Sequence, residues 1–284
     1  MENIRDIKIR IDSIKSTRQI TKAMKMVAAA NLRKAQNKIL KARPYADYIE
    51  LMLKVIRFKN KESRHPLISE PEIKGKTAFV VVTSDRGLCG SFNYNIIRQA
   101  MEYISQNPQA DIICIGRKGF DYLKKRTDRI IKSHRDLFNQ MDFSVSVEVA
   151  SFLLDLYLLE NYSQINVIYN EYKSVIQQRV VLKQLLPIQP PEDDTIHPLD
   201  FIYEPDQDTL IEELGRKYID VEIWRVMLES SAAEQGARMT AMDSATDNAS
   251  ELIGQLTLKF NRARQASITT EIIEIASGAE AIKS

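Results

Sequence analysis

Apolar residues recur at alternating steps of three and four over the last quarter of the chain. From Ile211 the steps land on Leu214, Tyr218, Val221, Arg225, Leu228, Ala232, Gln235, Met239, Met242, Thr246, Ala249, Ile253, Leu256, Phe260 and Ala263. Thirteen of these sixteen positions are apolar or alanine. Such a seam, kept for more than seven heptads, is the pattern of a coiled coil and predicts one helix over residues 206–284. At ~1.5 Å per residue that helix is roughly 115 Å long, far more than a globular helix needs. The other end opens alike, with Ile4, Ile7, Ile11 and Ile14. The next steps of that register are Arg18, Thr21 and Lys25, so the apolar stripe is expected to slide to Ile20, Met24 and Val27 before returning at Ala28, Leu32, Ala35 and Ile39. This reads as a helix over residues 1–58, kinked at Pro44.

Between the two lies a segment of another kind, residues 59–205. All nine prolines fall between Pro44 and Pro205, and the first glycine is Gly75. Runs rich in β-branched residues alternate with helical patterns: strands at 77–82, 111–116, 128–133, 165–170 and 175–186, and helices at 93–106, 118–126 and 147–160. Apolar strands alternating with helices predict a mostly parallel, Rossmann-like sheet covered by helices. The last run is longer and alternates in polarity, which suits an antiparallel edge hairpin. The fold class is therefore α/β: a central sheet domain plus a long antiparallel coiled coil of the terminal helices.

The lengths alone carry a further inference. If the terminal helices pair along their seams, they run antiparallel with residue i near residue 265−i, and about 20 residues of the C-terminal helix project beyond the pair. Ile268, Ile272, Ile275, Ala279 and Ile282 keep a 4,3,4,3 spacing there. Four buried isoleucines would contribute roughly 6–12 kcal/mol. That stripe could fold back, pair with a second copy, or enter a sleeve made by other subunits.

Composition is that of a folded protein, with 44% hydrophobic and 27% charged residues. No run approaches the ~18 apolar residues of a membrane span, and the N-terminus lacks a signal-peptide core. Cys89 and Cys114 alone make no disulfide framework, which suits a reducing compartment. The net charge of +2 hides an uneven distribution. Residues 1–59 carry 15 Lys or Arg against 5 Asp or Glu, whereas residues 188–213 carry nine acids and no Lys or Arg. A basic helix suits a solvated face, an acidic protein ring or nucleic-acid phosphates.

Catalytic chemistry is hard to find. The turn TSDRGLCGSFN (83–93) follows a strand and precedes a helix, yet it is neither a Gly-x-Gly-x-x-Gly loop nor a Walker A loop. Ser84, Asp85 and Cys89 have no positioned base. The three histidines are scattered, and no carboxylate cluster has metal-binding spacing. The residues therefore predict no active site, metal or cofactor. A coiled-coil scaffold or nucleic-acid-binding protein, and a nucleotide-binding enzyme with helical arms, stay open at this point.

Three motifs taken together resemble the gamma subunits of F-type ATP synthases of bacterial length. They are IKIRIDSIKSTRQITKAMKMVAAANLRKAQ (7–36), TSDRGLCGSFN (83–93) and ARMTAMDSATDNASELIGQLTLKFNRARQASITTEIIEIASGAEA (237–281). The resemblance spans the whole chain. It implies a central rotor shaft, one copy per complex, inside an alpha/beta catalytic hexamer. It also implies a globular foot beside the epsilon subunit on the membrane ring of c subunits. Proton flow would turn ring and shaft while ATP forms in the beta subunits, so this chain would carry torque without catalysing. The resemblance assigns Arg264, Gln265, Thr269 and Glu271 to contact with the hexamer. It places Met24 and Lys25 facing Arg238 at mid-shaft, beside acidic beta-subunit loops, and gives Tyr203 and Glu204 to the c ring. Asp243 and Ser244 receive no role. It further implies a peripheral place on the cytoplasmic face of the bacterial inner membrane, attachment to the membrane only through partners, and no nucleic acid.

Overall fold

In the computed structural model, residues 4–59, 65–69, 75–139, 141–160, 162–175, 177–189 and 207–283 are described. Helix α1 spans Ile4–Lys59 and continues through Pro44. There follow β1 (Lys76–Val82), α2 (Phe92–Gln106), β2 (Asp111–Ile115), α3 (Arg117–Leu123) and β3 (Ile130–His134). After a short 3-10 turn come α4 (Phe143–Leu159), β4 (Tyr162–Tyr172), β5 (Gln178–Leu186) and α5, which runs from Gln207 to Lys283. Every expected strand and helix is present. The widest boundary difference is α4, which starts four residues early because the Asp142 carboxylate accepts a hydrogen bond from the Phe143 N–H and caps it.

The sheet has the order β3-β2-β1-β4-β5. All its pairs are parallel except β4–β5, the antiparallel edge hairpin. Period-two alternation sorts the strand residues between two layers. Ala78, Val80 and Val82 face the layer built by α4, with Val149, Leu153 and Tyr157. Phe79 and Val81 face α2, with Phe92, Ile96 and Ala100. Strand β2 divides in the same way, Ile113 and Ile115 on one side and Ile112 and Cys114 on the other. A strand buried on both faces has no polar position to spare, which is why FVVV reads as one apolar run.

The chain divides into two compact units, and the division passes through both long helices, after Val27 and after Arg238. The smaller unit comprises α1 up to Val27 and α5 from Met239. Its core is Ile7, Ile11 and Leu256, flanked by Ile14, Ile253, Phe260 and Ala263. Residues 7–14 of α1 clustered with residues 253–263 of α5 is the antiparallel arrangement that the 265−i rule expects.

The expected slide of the α1 stripe does not occur. Ile20 and Val27 are 59% and 60% exposed, while Thr21 is buried. The seam keeps its first register through two polar positions, because α5 presents polar partners at the same level. Thr21 Oγ1 and Thr246 Oγ1 share a hydrogen bond of 2.7 Å, and Lys25 pairs with Asp243.

In the larger unit α5 is buried around most of its circumference. Ile211, Ile219, Ile223, Val226 and Met227 join the core beneath the sheet together with Ile49 and Leu53 of α1. Ala233 enters the layer on the other side. A heptad seam describes one contact face only. Apolar residues at nearly every position of IDVEIWRVML mark a helix that is buried on more than one side.

Candidate functional site

The turn after β1 is held by its own chain. Thr83 Oγ1 accepts the Gly119 N–H at 2.8 Å, and the Ser84 hydroxyl donates to the Arg86 carbonyl at 2.6 Å. Asp85 does most of the organising. Its Oδ1 accepts the N–H groups of Arg117 and Asp136, each at 2.9 Å, and its Oδ2 accepts that of Phe138 at 3.3 Å. A phosphate at such a turn would be held by the turn's own backbone N–H groups; the Ser84 N–H instead donates to Asn93 Oδ1 at 3.0 Å, and the carboxylate of Asp85 takes its three donors from the segments after β2 and β3. Gly116 lies at φ +96°, and a Cβ there would sit 2.0 Å from the Thr83 carbonyl oxygen, so only glycine fits. Cys89 is buried beside Ser84 and Asn93, and burial pushes its thiol pKa up, which is the opposite of nucleophile activation. Burial likewise pushes Cys114 up to about 12.

The side chains assigned to mid-shaft have partners within their own units. Lys25 pairs with Asp243, and Met24 is half-buried. Arg238, in the other unit, is 8% exposed. Its Nη2 donates to Glu234 Oε1 at 2.6 Å and to the Gly87 carbonyl at 3.2 Å. Burial raises the Glu234 pKa, and the neighbouring guanidinium opposes that rise. The sequence left Asp243 and Glu234 without roles. Asp243 lies three residues from the position opposite Lys25 in the 265−i register, so the length argument could have found it. Glu234 stands one turn before Arg238, the spacing of a helical ion pair.

Arg264, Gln265, Thr269 and Glu271 are all exposed on α5. At ~100° per residue, Ile268, Ile272 and Ile275 lie within about 60° of one another. Arg264 and Glu271 fall on one border of that stripe, Gln265 and Thr269 on the other. The three isoleucines are 48%, 61% and 72% exposed. Among the described residues after Ala263 none is buried. Tyr203 and Glu204, and most of the acidic stretch 188–213, lie outside the described residues. Among the described residues no helix is long and apolar enough to cross a membrane.

Comparison with known proteins fits the fold. The sequence model of the ATP synthase family matches residues 3–282. The ATP synthase gamma chain of Prosthecochloris aestuarii is 45% identical over 290 residues, covering 100% of this chain and 99% of its own length. That of Geobacter sp. (strain M21) is 46% identical over 289 residues, with both chains fully covered. Among solved structures, a chain of the Euglena gracilis mitochondrial ATP synthase (OSCP, F1 and c-ring) superposes with a TM-score of 0.72 at 20% identity. The match covers 98% of this chain and 94% of that one. A chain from the central stalk and c-ring structure of the Tetrahymena thermophila mitochondrial ATP synthase gives 0.62 at 24% identity, over 80% and 99%. The chain belongs to the ATP synthase family as a gamma chain, the central rotor subunit of that enzyme.

Proposed function

We propose that the paired terminal helices transmit torque by presenting a different face to each catalytic subunit of a surrounding alpha/beta hexamer, while the sheet domain rests beside epsilon on the c ring. A single chain cannot offer the same surface to three equivalent subunits at once. Each orientation therefore favours a different conformation in each subunit, and the shift equals the difference in contact free energy between conformations. Rotation by a third exchanges those preferences, so turning the ring drives ATP formation at sites in the beta subunits. One copy per complex follows from the same asymmetry. The protein is peripheral and reaches the cytoplasmic face of the bacterial inner membrane through its partners.

The observation that carries this reading is the tip of α5. Three isoleucines stand exposed in one stripe, bordered by Arg264, Gln265, Thr269 and Glu271. An apolar stripe of this kind on a soluble helix marks a surface that a partner covers. Ile20, Met26 and Val27 of α1 are also about 60% exposed. Met24, Lys25 and Arg238 then contribute to contacts with acidic loops at mid-shaft, and Tyr203 and Glu204 to the c ring.

Gln265→Leu and Glu271→Lys test the tip. Both positions are exposed, so each substitution should change the thermal stability of the chain by less than about 0.5 kcal/mol. ATP synthesis driven by a proton gradient in reconstituted complex should fall several-fold. Equal loss of stability and synthesis would show that the tip is structural only.

A further inference from the structure

Between Ile14 and Ala28 the α1 seam runs through Arg18, Thr21 and Lys25, at steps of 4, 3, 4 and 3. Thr21 is 8% exposed in that seam, whereas its neighbour Ile20 is 59% exposed. Arg18, Met24 and Lys25 are half-buried, and Thr17 is exposed. A threonine inside and an isoleucine outside reverse the usual sorting. A second path joins the same two ends. It runs from Ile14 through Thr17, Ile20 and Met24 to Ala28, at steps of 3, 3, 4 and 4. Both paths span the same fourteen residues, so exchanging one for the other leaves the helix on either side in place.

Two effects oppose each other in that choice. The second path carries the more apolar side chains. Met242 and Ala249 of α5, one turn to either side of Thr246, are 5% and 8% exposed and offer the apolar surface that Ile20 and Met24 would meet. Its backbone is worse. The helix would tighten to about three residues per turn before Ile20, the 3-10 value, and loosen to about four after it, against ~3.5 along a regular seam. The polar contacts add to the side of regular winding. Thr21 Oγ1 and Thr246 Oγ1 share their 2.7 Å hydrogen bond, and Lys25 pairs with Asp243. One hydroxyl proton crosses between the helices, and the other serves a carbonyl of its own helix, that of Arg18 or of Met242. Turning α1 by ~100°, one residue's worth, removes Thr21 and Lys25 from both partners. Polar residues at a coiled-coil seam fix register in this way, at a cost in stability.

We propose that Thr21, Lys25, Asp243 and Thr246 form a phase lock. They hold residues 15–27 of α1 in the winding that turns Ile20 outward, against a second winding that draws Ile20 and Met24 into the seam. The lock thereby decides whether Ile20 belongs to the outer surface of the helix pair or to its core. All four residues lie within the smaller unit. The lock therefore needs no contact with another subunit, and its failure would leave the rotor reading untouched.

Two single reporters in the full-length chain, Thr17→Cys and Arg18→Cys, test it through their rates of reaction with a maleimide. Cys89 and Cys114 are buried and give only a slow background. With the lock intact, Thr17→Cys should react several-fold faster than Arg18→Cys. Opening the lock with Asp243→Leu and Thr246→Val together should slow the first and speed the second, inverting their order. General loosening of the helix pair would speed both, so lost stability alone does not produce the inversion. Exchanging the charges, Lys25→Asp with Asp243→Lys, should keep the original order. Rates unchanged by opening the lock, both reporters speeding up, or an inversion in the charge-exchanged chain would each overturn the proposal.

Discussion

Arg238 is assigned to partner contact by its family, yet the structure buries it in an ion pair, and Arg238→Met separates the two roles. The substitution keeps much of the side-chain volume and removes the guanidinium. It strands the carboxylate of Glu234, which is 5% exposed, and takes a donor from the Gly87 carbonyl. Breaking a buried pair on one side costs about 3–5 kcal/mol, because the surviving charge is desolvated and unpaired. At about 2–4 °C per kcal/mol for a unit of this size, the midpoint of thermal unfolding should fall by about 6–20 °C. Two further results follow. Adding Glu234→Gln removes the stranded charge, so the double variant should recover most of the loss. The loss should also shrink in mild acid. Without Arg238 opposing it, burial leaves the Glu234 pKa above the 4.5 of the free side chain. The folded single variant then binds a proton more readily than its unfolded chain, and its stability falls as pH rises from 4.5 through the raised value. Circular dichroism of the full-length chain at neutral and mildly acidic pH measures all three. A single variant as stable as the unaltered chain, or a double variant no better than the single, would refute this account and leave Arg238 with the contact role alone.

Other substitutions probe the scaffold. Gly116→Ala places a methyl group 2.0 Å from the Thr83 carbonyl oxygen at a positive φ, and should cost about 3–5 kcal/mol in chemical denaturation. Ile7→Ala removes a side chain that is 1% exposed from the core of the smaller unit. It should cost about 2–4 kcal/mol, read as faster hydrogen exchange along residues 4–14 and 253–260. His134 is buried and its Nε2 has no partner among the described residues. Burial, then the charge of Lys132, hold its pKa below 6.5, with Glu148 opposing. The unfolded chain therefore takes up the proton first as pH falls. The contribution is complete above pH 6.5 and is lost as pH drops toward the folded value. His134→Gln should flatten the stability profile below that point, and an unchanged profile would rule His134 out as its source.

The sequence by itself determined the elements, their order and the antiparallel pairing of the ends. These follow from local periodicity and from where proline and glycine are absent, which one chain displays without any tertiary knowledge. The length argument placed Ile7 opposite residue 258, and the structure clusters it with Leu256, because two helices leaving one domain have little choice of register. Only the tertiary structure decided what the polar positions do. Thr21 and Lys25 look like breaks in a stripe until Thr246 and Asp243 are seen opposite. Asp85 looks like chemistry until three backbone N–H groups are found on it. Glu222, Glu234 and Arg238 look solvated until the sheet is laid against a second face of α5. An apolar residue is buried almost anywhere, so its pattern suffices. A polar residue can be buried only where a specific partner meets it, and that partner usually comes from a distant part of the chain.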